Sequence, residues 1–165
     1  MTKTDRYNSY FMDVAIRTAQ NSHARRSKVG AVLVKDNRIV ATGWNGRVSG
    51  QSNVCEEWAD WLNTSPGNSK ILVDNTDENA IMSAKPEYLK TRADVVHAEA
   101  NIIYFCAKHG IKTDGTILYI TLSPCATCAL AIIQAGVKAV YYHEEYRDAT
   151  GLKVLKDAGI SVSKL

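Results

Sequence analysis

Long apolar runs are missing from this 165-residue chain. None approaches the roughly 18 apolar residues of a membrane span. The opening MTKTDRYNSYFMDVAIRTAQ also lacks the unbroken apolar core of a secretory leader, because Asp13 and Arg17 interrupt it. A soluble, cytoplasmic protein is therefore expected (host cytoplasm for a viral source), with no membrane partner. An excess of one charge is lacking too: 20 Lys and Arg face 17 Asp and Glu, a net charge of +3. That balance is too mild for a nucleic-acid-binding face but suits small anionic ligands. Internal repeats and low-complexity tracts are absent, which excludes solenoid and linker-like chains. Cysteine is sparse at four residues, and a reducing cytosol argues against pairing them as disulfides. Cys55 and Cys106 stand alone and read as buried free thiols. Cys125 and Cys128 form a C-x-x-C, which in this setting points to metal or redox chemistry.

What is present is an ordinary globular composition, 45% apolar and 22% charged, in a length that predicts one domain over 1–165. Tyr10, Val14, Ala15, Ile16 and Ala19 give a stripe that predicts a helix over about 5–21. Residues 29–34 (VGAVLV) and 38–43 (RIVATG) flank Asp36-Asn37 and predict a β-hairpin. From about 45 to 92 the pattern breaks into Gly, Pro-Gly and polar clusters, with Trp58, Trp61 and Leu62 suggesting a short helix inside a long insertion. Regular alternation then returns. A helix is predicted over 98–108, with Ile102, Ile103, Phe105 and Cys106 on apolar faces and Gly110 ending it. A strand follows over 116–121, a helix over 126–134 ended by Gly136, a strand over 137–142, a helix over 151–158 and a short strand at 160–162. Strands alternating with helices imply a layered α/β sandwich.

The chemistry lies in two short motifs read together, His97-Ala98-Glu99 and Pro124-Cys125-Ala126-Thr127-Cys128, each at the start of a predicted helix. A C-x-x-C on a helix N-terminus can set two sulfurs on one tetrahedral zinc ion, and the helix dipole favours the thiolates that ligation needs. His97 supplies a nitrogen ligand. Neither motif offers a fourth, and three protein ligands with an open position for water are the catalytic pattern, whereas structural zinc is closed by four. Glu99, two residues from a ligand, is placed to take a proton from that water and deliver it to substrate.

H-A-E followed by P-C-x-x-C resembles the signature of the zinc-dependent cytidine deaminase superfamily. Lys28-Val-Gly-Ala-Val, Thr42-Gly-Trp-Asn-Gly46, the long insertion, and Thr121-Leu-Ser-Pro-Cys125 are most similar to the deoxycytidylate (dCMP) deaminases, phage forms included. The resemblance implies a three-layer α-β-α sandwich around a mixed five-stranded sheet. It implies hydrolytic deamination of dCMP to dUMP at cytosine C4, with Glu99 protonating N3 and then the departing ammonia. Asn45 would bind the sugar hydroxyl and the Ala98 backbone the base edge. Arg25, Arg26 and Arg147 are candidates for the phosphate, with Tyr146 against the nucleotide. Activation by dCTP and inhibition by dTTP, with Mg2+ on the triphosphate, are implied for a site near Gly43, Gly46 and Arg47. Phe105 and Lys108 match subunit-contact positions of a homo-hexamer. The chain departs from the family in lacking a proline after Asn45-Gly46, and it lacks the cysteines of a second, structural zinc near residues 24–27. One zinc per chain is expected.

Three other readings share parts of this pattern. A dithiol redox protein would use Cys125 and Cys128 without His97 or Glu99. A zinc-stabilised dNTP-binding module would bind without turnover. A related deaminase could act on dCTP, on free cytosine or on adenosine in tRNA.

Overall fold

The computed structural model describes residues 2–60, 62, 74 and 76–165. Helix α1 (Lys3–Ala19) opens on a capping box: the Thr2 hydroxyl accepts the Asp5 N–H, and the Asp5 carboxylate accepts the Thr2 N–H. Strands β1 (Gly30–Lys35) and β2 (Arg38–Trp44) form the expected hairpin. Its two turn residues, Asp36 and Asn37, sit at φ 49° and 58°. Aspartate and asparagine tolerate that left-handed backbone better than other side chains, and it matches the twist of the flanking strands.

After the insertion the chain continues as α3 (Ala98–His109), β7 (Ile117–Leu122), α4 (Ala126–Gln134), β8 (Ala139–Glu144), α5 (Thr150–Asp157) and β9 (Ser161–Lys164). Gly110 and Gly136, at φ 66° and 73°, end α3 and α4 in the left-handed region. The sheet order is β2-β1-β7-β8-β9. The first three strands pair antiparallel and the last three parallel. This is the mixed five-stranded sheet expected.

Alternation along the strands sorts the core into two layers. Val32, Val34 and Tyr119 face Phe11, Met12 and Ala15 of α1 on one side. Ala31, Leu33, Leu118, Ile120 and Val140 face the other, against Ile102 and Cys106 of α3, Ala129 and Ile132 of α4, and Leu152 and Leu155 of α5. β1 is covered on both faces, which explains its unbroken apolar sequence. Phe105, by contrast, is 45% exposed on the outer side of α3.

The insertion leaves after β2 and returns at α3. It holds β3 (Gly46–Arg47), β4 (Glu56–Trp58), α2 (Glu78–Ser83), a 3-10 turn (Pro86–Tyr88), β5 (Leu89–Thr91) and β6 (Val95–Val96). β3 pairs with β6, and β4 with β5. Val54, Ile81 and Leu89 make a small apolar cluster with Trp58 and Ala84. Of the three residues that suggested a short helix, Trp58 lies in a strand, Leu62 is helical, and Trp61 lies outside the described residues. Cross-strand pairing with Leu89 and the small cluster decides the conformation of Trp58. Among the described residues, no helix is long and apolar enough to cross a membrane.

Candidate active site

Two helix starts converge at the carboxyl end of β7. His97 is the N-cap of α3 and Cys125 the N-cap of α4, both with extended backbone and neither side chain spent on capping its helix. Cys128 follows one turn into α4 and is buried. The His97 Nδ1 atom lies 3.7 Å from Cys125 Sγ and 3.5 Å from Cys128 Sγ. A tetrahedral zinc with Zn–S near 2.3 Å and Zn–N near 2.0–2.1 Å has an S···N edge of about 3.5–3.6 Å. The three donor atoms, all within 4.8 Å of one another, therefore fit that ion in number, type and spacing.

Tight packing fixes these helix starts. A Cβ added to Gly43 would lie 3.0 Å from the Ala98 carbonyl oxygen and from Ile102 Cβ, so β2 and α3 approach closely there. The Asn101 amide donates to the Trp44 carbonyl at 2.8 Å, holding the same pair of elements. A Cβ on Gly151 would lie 2.0 Å from the Pro124 carbonyl oxygen, so α5 abuts the start of the C-x-x-C. The Ser123 hydroxyl accepts the Tyr146 N–H at 2.8 Å, tying the segment after β8 to the segment after β7.

Glu99 is 4% exposed, and burial pushes its carboxyl up to about 7. A carboxyl in that range can both take and give a proton near neutral pH. The Cys128 thiol is raised as well, first by burial and then by the neighbouring Glu99 and Cys125. Without a cation, desolvation and the nearby acidic groups favour the neutral thiol. A bound cation reverses that balance.

A cavity of about 410 Å3 opens onto these groups. His97, Ala98, Glu99 and Cys125 line one part of it; Asn45, Arg26, Tyr146 and Arg147 line others. Asn45 is buried, and its side chain spans the loop before β1, accepting from the Val29 N–H at 2.8 Å and donating to the Ser27 carbonyl at 2.9 Å. One amide N–H remains for a ligand. The Arg147 guanidinium lies 5.6 Å from the centre of the Tyr146 ring.

Arg25 is placed differently: it is not among the cavity-lining residues, and its guanidinium donates to the Ala84 carbonyl at 3.0 Å. Gly43 is buried under α3, whereas Gly46 and Arg47 lie on β3, where Arg47 pairs with Asp94 at 2.7 Å. Lys108 is exposed near Phe105, whose ring packs on His109 at 4.4 Å. Sequence reasoning missed Glu56, Lys90 and Thr91, which bring the insertion's β4–β5 ribbon into the cavity wall. No motif spacing links them to the ligands; their placement comes from strand pairing alone.

A mixed-sheet α/β sandwich with a three-donor metal group at a strand's carboxyl end, and a buried carboxyl beside it, defines a hydrolase-type metal site. Residues 5–144 match the family described as the cytidine and deoxycytidylate deaminase zinc-binding region. The chain belongs to this family. It is 35% identical over 170 residues to the deoxycytidylate deaminase of Enterobacteria phage T4, covering 93% of this chain and 87% of that protein. It is 32% identical to ComE operon protein 2 of Bacillus subtilis, over 96% of this chain and 71% of that one. Among solved structures it resembles the dCMP deaminase of cyanophage S-TIM5 in complex with dCMP and dUMP. That likeness has a TM-score of 0.76 at 34% identity, with 100% of this chain and 99% of that chain covered.

Proposed function

We propose that this protein hydrolyses dCMP to dUMP and ammonia, with one zinc ion held by His97, Cys125 and Cys128. The observation that carries this reading is the convergence of that donor group and the buried Glu99 on one nucleotide-sized cavity that also receives Arg26 and Arg147. The relatives named above support the choice of substrate.

Zinc, when bound, supplies Lewis-acid activation of the attacking water. Glu99 moves the protons: it takes one from the water and delivers it to N3 of the cytosine ring, then takes the second from the hydroxyl now on C4 and gives it to the amine leaving C4, so that both protons of the water are accounted for. Its burial suits this, since a carboxyl near neutral in affinity wastes little free energy in either direction. The Ala98 N–H lies in the first turn of α3, where the helix itself offers no acceptor, and is free to meet the base edge. Asn45 offers its remaining amide N–H to a sugar oxygen. Arg26 and Arg147 take the phosphate, and stacking on Tyr146 restrains the Arg147 guanidinium.

A longer phosphate chain, as in dCTP, would need more cationic charge at the wall. Among the described residues Lys90 is the lysine in that wall, and its ammonium is held by Asp60 at 2.5 Å and Glu57 at 3.3 Å. Among the described residues, that leaves Arg26 and Arg147 as the arginines lining the cavity, which suits a monophosphate. Control by dCTP and dTTP, with Mg2+ on the triphosphate and the region of Gly46 and Arg47 as the receiving site, belongs to the same reading. So does a homo-hexamer using Phe105 and Lys108.

The test is ammonia release by the zinc-loaded protein from cytosine, cytidine, dCMP, dCTP and adenosine-containing RNA. Release from dCMP well above the others is expected. A preference for dCTP or RNA, or reversible Cys125–Cys128 oxidation in place of turnover, would overturn the reading. Adding dCTP or dTTP should raise or lower the dCMP rate respectively.

A further inference from the structure

One buried acid in the cavity wall has no part in the proton transfers. Glu56, on β4, is fully buried and lines the same cavity as Glu99. Its Oε1 accepts two backbone donors, the Arg25 N–H at 2.9 Å and the Arg26 N–H at 3.2 Å. Its Oε2 has no hydrogen-bond partner among the described residues. Buried carboxyl oxygens are rarely left unpaired, because the desolvation they suffer is recovered only through a donor. An unpaired carboxyl oxygen on a residue that lines a ligand cavity is suited to a donor that comes with the ligand.

The identity of that donor follows from the nucleotide's chemistry, and this step rests on the function proposed above. dCMP carries only two kinds of strong donor away from its phosphate: the amino group on C4 and the 3′-hydroxyl of the deoxyribose. The amino-bearing edge must face His97, Cys125 and Glu99, where the C–N bond breaks. An ionised phosphate offers acceptors only and would be repelled by a carboxylate. The 3′-hydroxyl remains. We infer that Glu56 Oε2 accepts the hydrogen bond of the substrate's 3′-hydroxyl and so selects nucleotides that carry one.

The arrangement also links two ends of the ligand. The oxygen that holds the Arg25 and Arg26 N–H groups belongs to the same carboxyl, and the Arg26 side chain goes on to line the cavity. Sugar recognition and one phosphate-binding arm are thereby referenced to a single buried group. That group arrives on the β4–β5 ribbon, whose Thr91 is the cross-strand partner of Glu56 and lines the cavity with it.

The experiment compares kcat/KM of the zinc-loaded full chain for dCMP, CMP and 2′,3′-dideoxycytidine 5′-monophosphate. The wild type should favour dCMP over the dideoxy analogue by about ten- to a hundredfold, the range for a hydrogen bond to a charged group. In Glu56→Gln the amide oxygen can still accept from Arg25 and Arg26, but the second position no longer accepts. The preference should fall at least threefold, through loss on dCMP, with zinc content retained. CMP also carries a 3′-hydroxyl and should suffer the same loss in Glu56→Gln. Equal use of dCMP and the dideoxy analogue by the wild type would overturn the inference, and that comparison stands even if the variant does not fold. So would an unchanged ratio in a folded Glu56→Gln, the result expected if Oε2 meets the buried Arg25 Nε through solvent. Absence of turnover on dCMP would instead overturn the proposed function itself.

Discussion

Replacing Gly151 by alanine should damage the metal site from a residue that touches no ligand side chain. The added Cβ would lie 2.0 Å from the Pro124 carbonyl oxygen, 2.8 Å from the Cys125 carbonyl carbon and 2.9 Å from its oxygen. All three neighbours are backbone, so no side chain can swing aside. Bringing the closest contact to even 3 Å means parting α5 from the segment leading into α4 by about 1 Å, where functional sites tolerate about 0.5 Å. Overpacking of this kind costs about 1–3 kcal/mol, offset in part by the better helix propensity of alanine, about 1 kcal/mol. The 2.0 Å backbone contact puts the cost at the upper end of that range, so a net loss of up to about 2 kcal/mol lowers Tm by up to about 8 °C for a chain of this size. Displacement of Cys125 should weaken zinc binding by about 10- to 100-fold, as changes to groups supporting metal ligands do. Thermal melts and zinc competition against a chromogenic chelator read the two effects separately. Gly46→Ala, where an added Cβ meets nothing within 4 Å, is the control and should leave both unchanged. Wild-type Tm and zinc affinity in Gly151→Ala would refute the claim that this contact sets the ligand geometry.

Glu99→Gln should keep zinc bound while lowering kcat for dCMP by about 10²–10⁴-fold; stoichiometric zinc with near-normal turnover would remove Glu99 from the proton path. Arg147→Gln should raise KM for dCMP about tenfold while leaving the phosphate-free nucleoside unaffected, and an equal effect on both would place Arg147 away from the phosphate. The Tyr119 hydroxyl, donating to Asn8 at 2.7 Å, is pushed up to about 12 by burial and then by Tyr141. Its folded value lies above that of the unfolded chain, so its stabilisation is full below pH ~10 and is lost as pH rises toward ~12. Tyr119→Phe should therefore flatten denaturation midpoints measured between pH 10 and 12 relative to wild type, and parallel slopes would contradict this.

The elements that sit on strong local signals were legible from residue order alone. Asp36-Asn37 between two β-branched runs defines the hairpin, and Gly110 and Gly136 mark helix ends where the backbone turns left-handed. The donor group was legible because both motifs are short and their helix starts meet at one strand end. The insertion was not. Glu-Glu-Trp and Leu-Lys-Thr carry no periodic pattern and become strands only by pairing with each other. Trp58, Trp61 and Leu62 suggest a short helix; Leu62 is helical, but cross-strand pairing with Leu89 holds Trp58 in a strand. Adjacent arginines are equally plausible phosphate ligands in sequence, but Glu56 grips both backbones and the Ala84 carbonyl takes Arg25, which leaves Arg26 at the cavity. Glu56 itself carried no motif, since the contacts that reveal it come from residues about 30 positions away.

The pairing of β3 with β6 has a consequence beyond local structure. Gly46 lies opposite Val96 and Arg47 opposite Val95, so the insertion departs and returns through one two-residue clasp. A loop whose ends are already held together bears little further closure entropy as it lengthens, because that cost grows only with the logarithm of its length. The chain between the clasped ends can therefore be lengthened, shortened or replaced with little strain on the sandwich. Yet it is this chain that brings Glu56, Lys90 and Thr91 to the cavity. The architecture thus divides the cavity between two sources: the metal-donor group stands on a rigid frame of helix starts, while part of the wall is supplied by an exchangeable cassette hung from it.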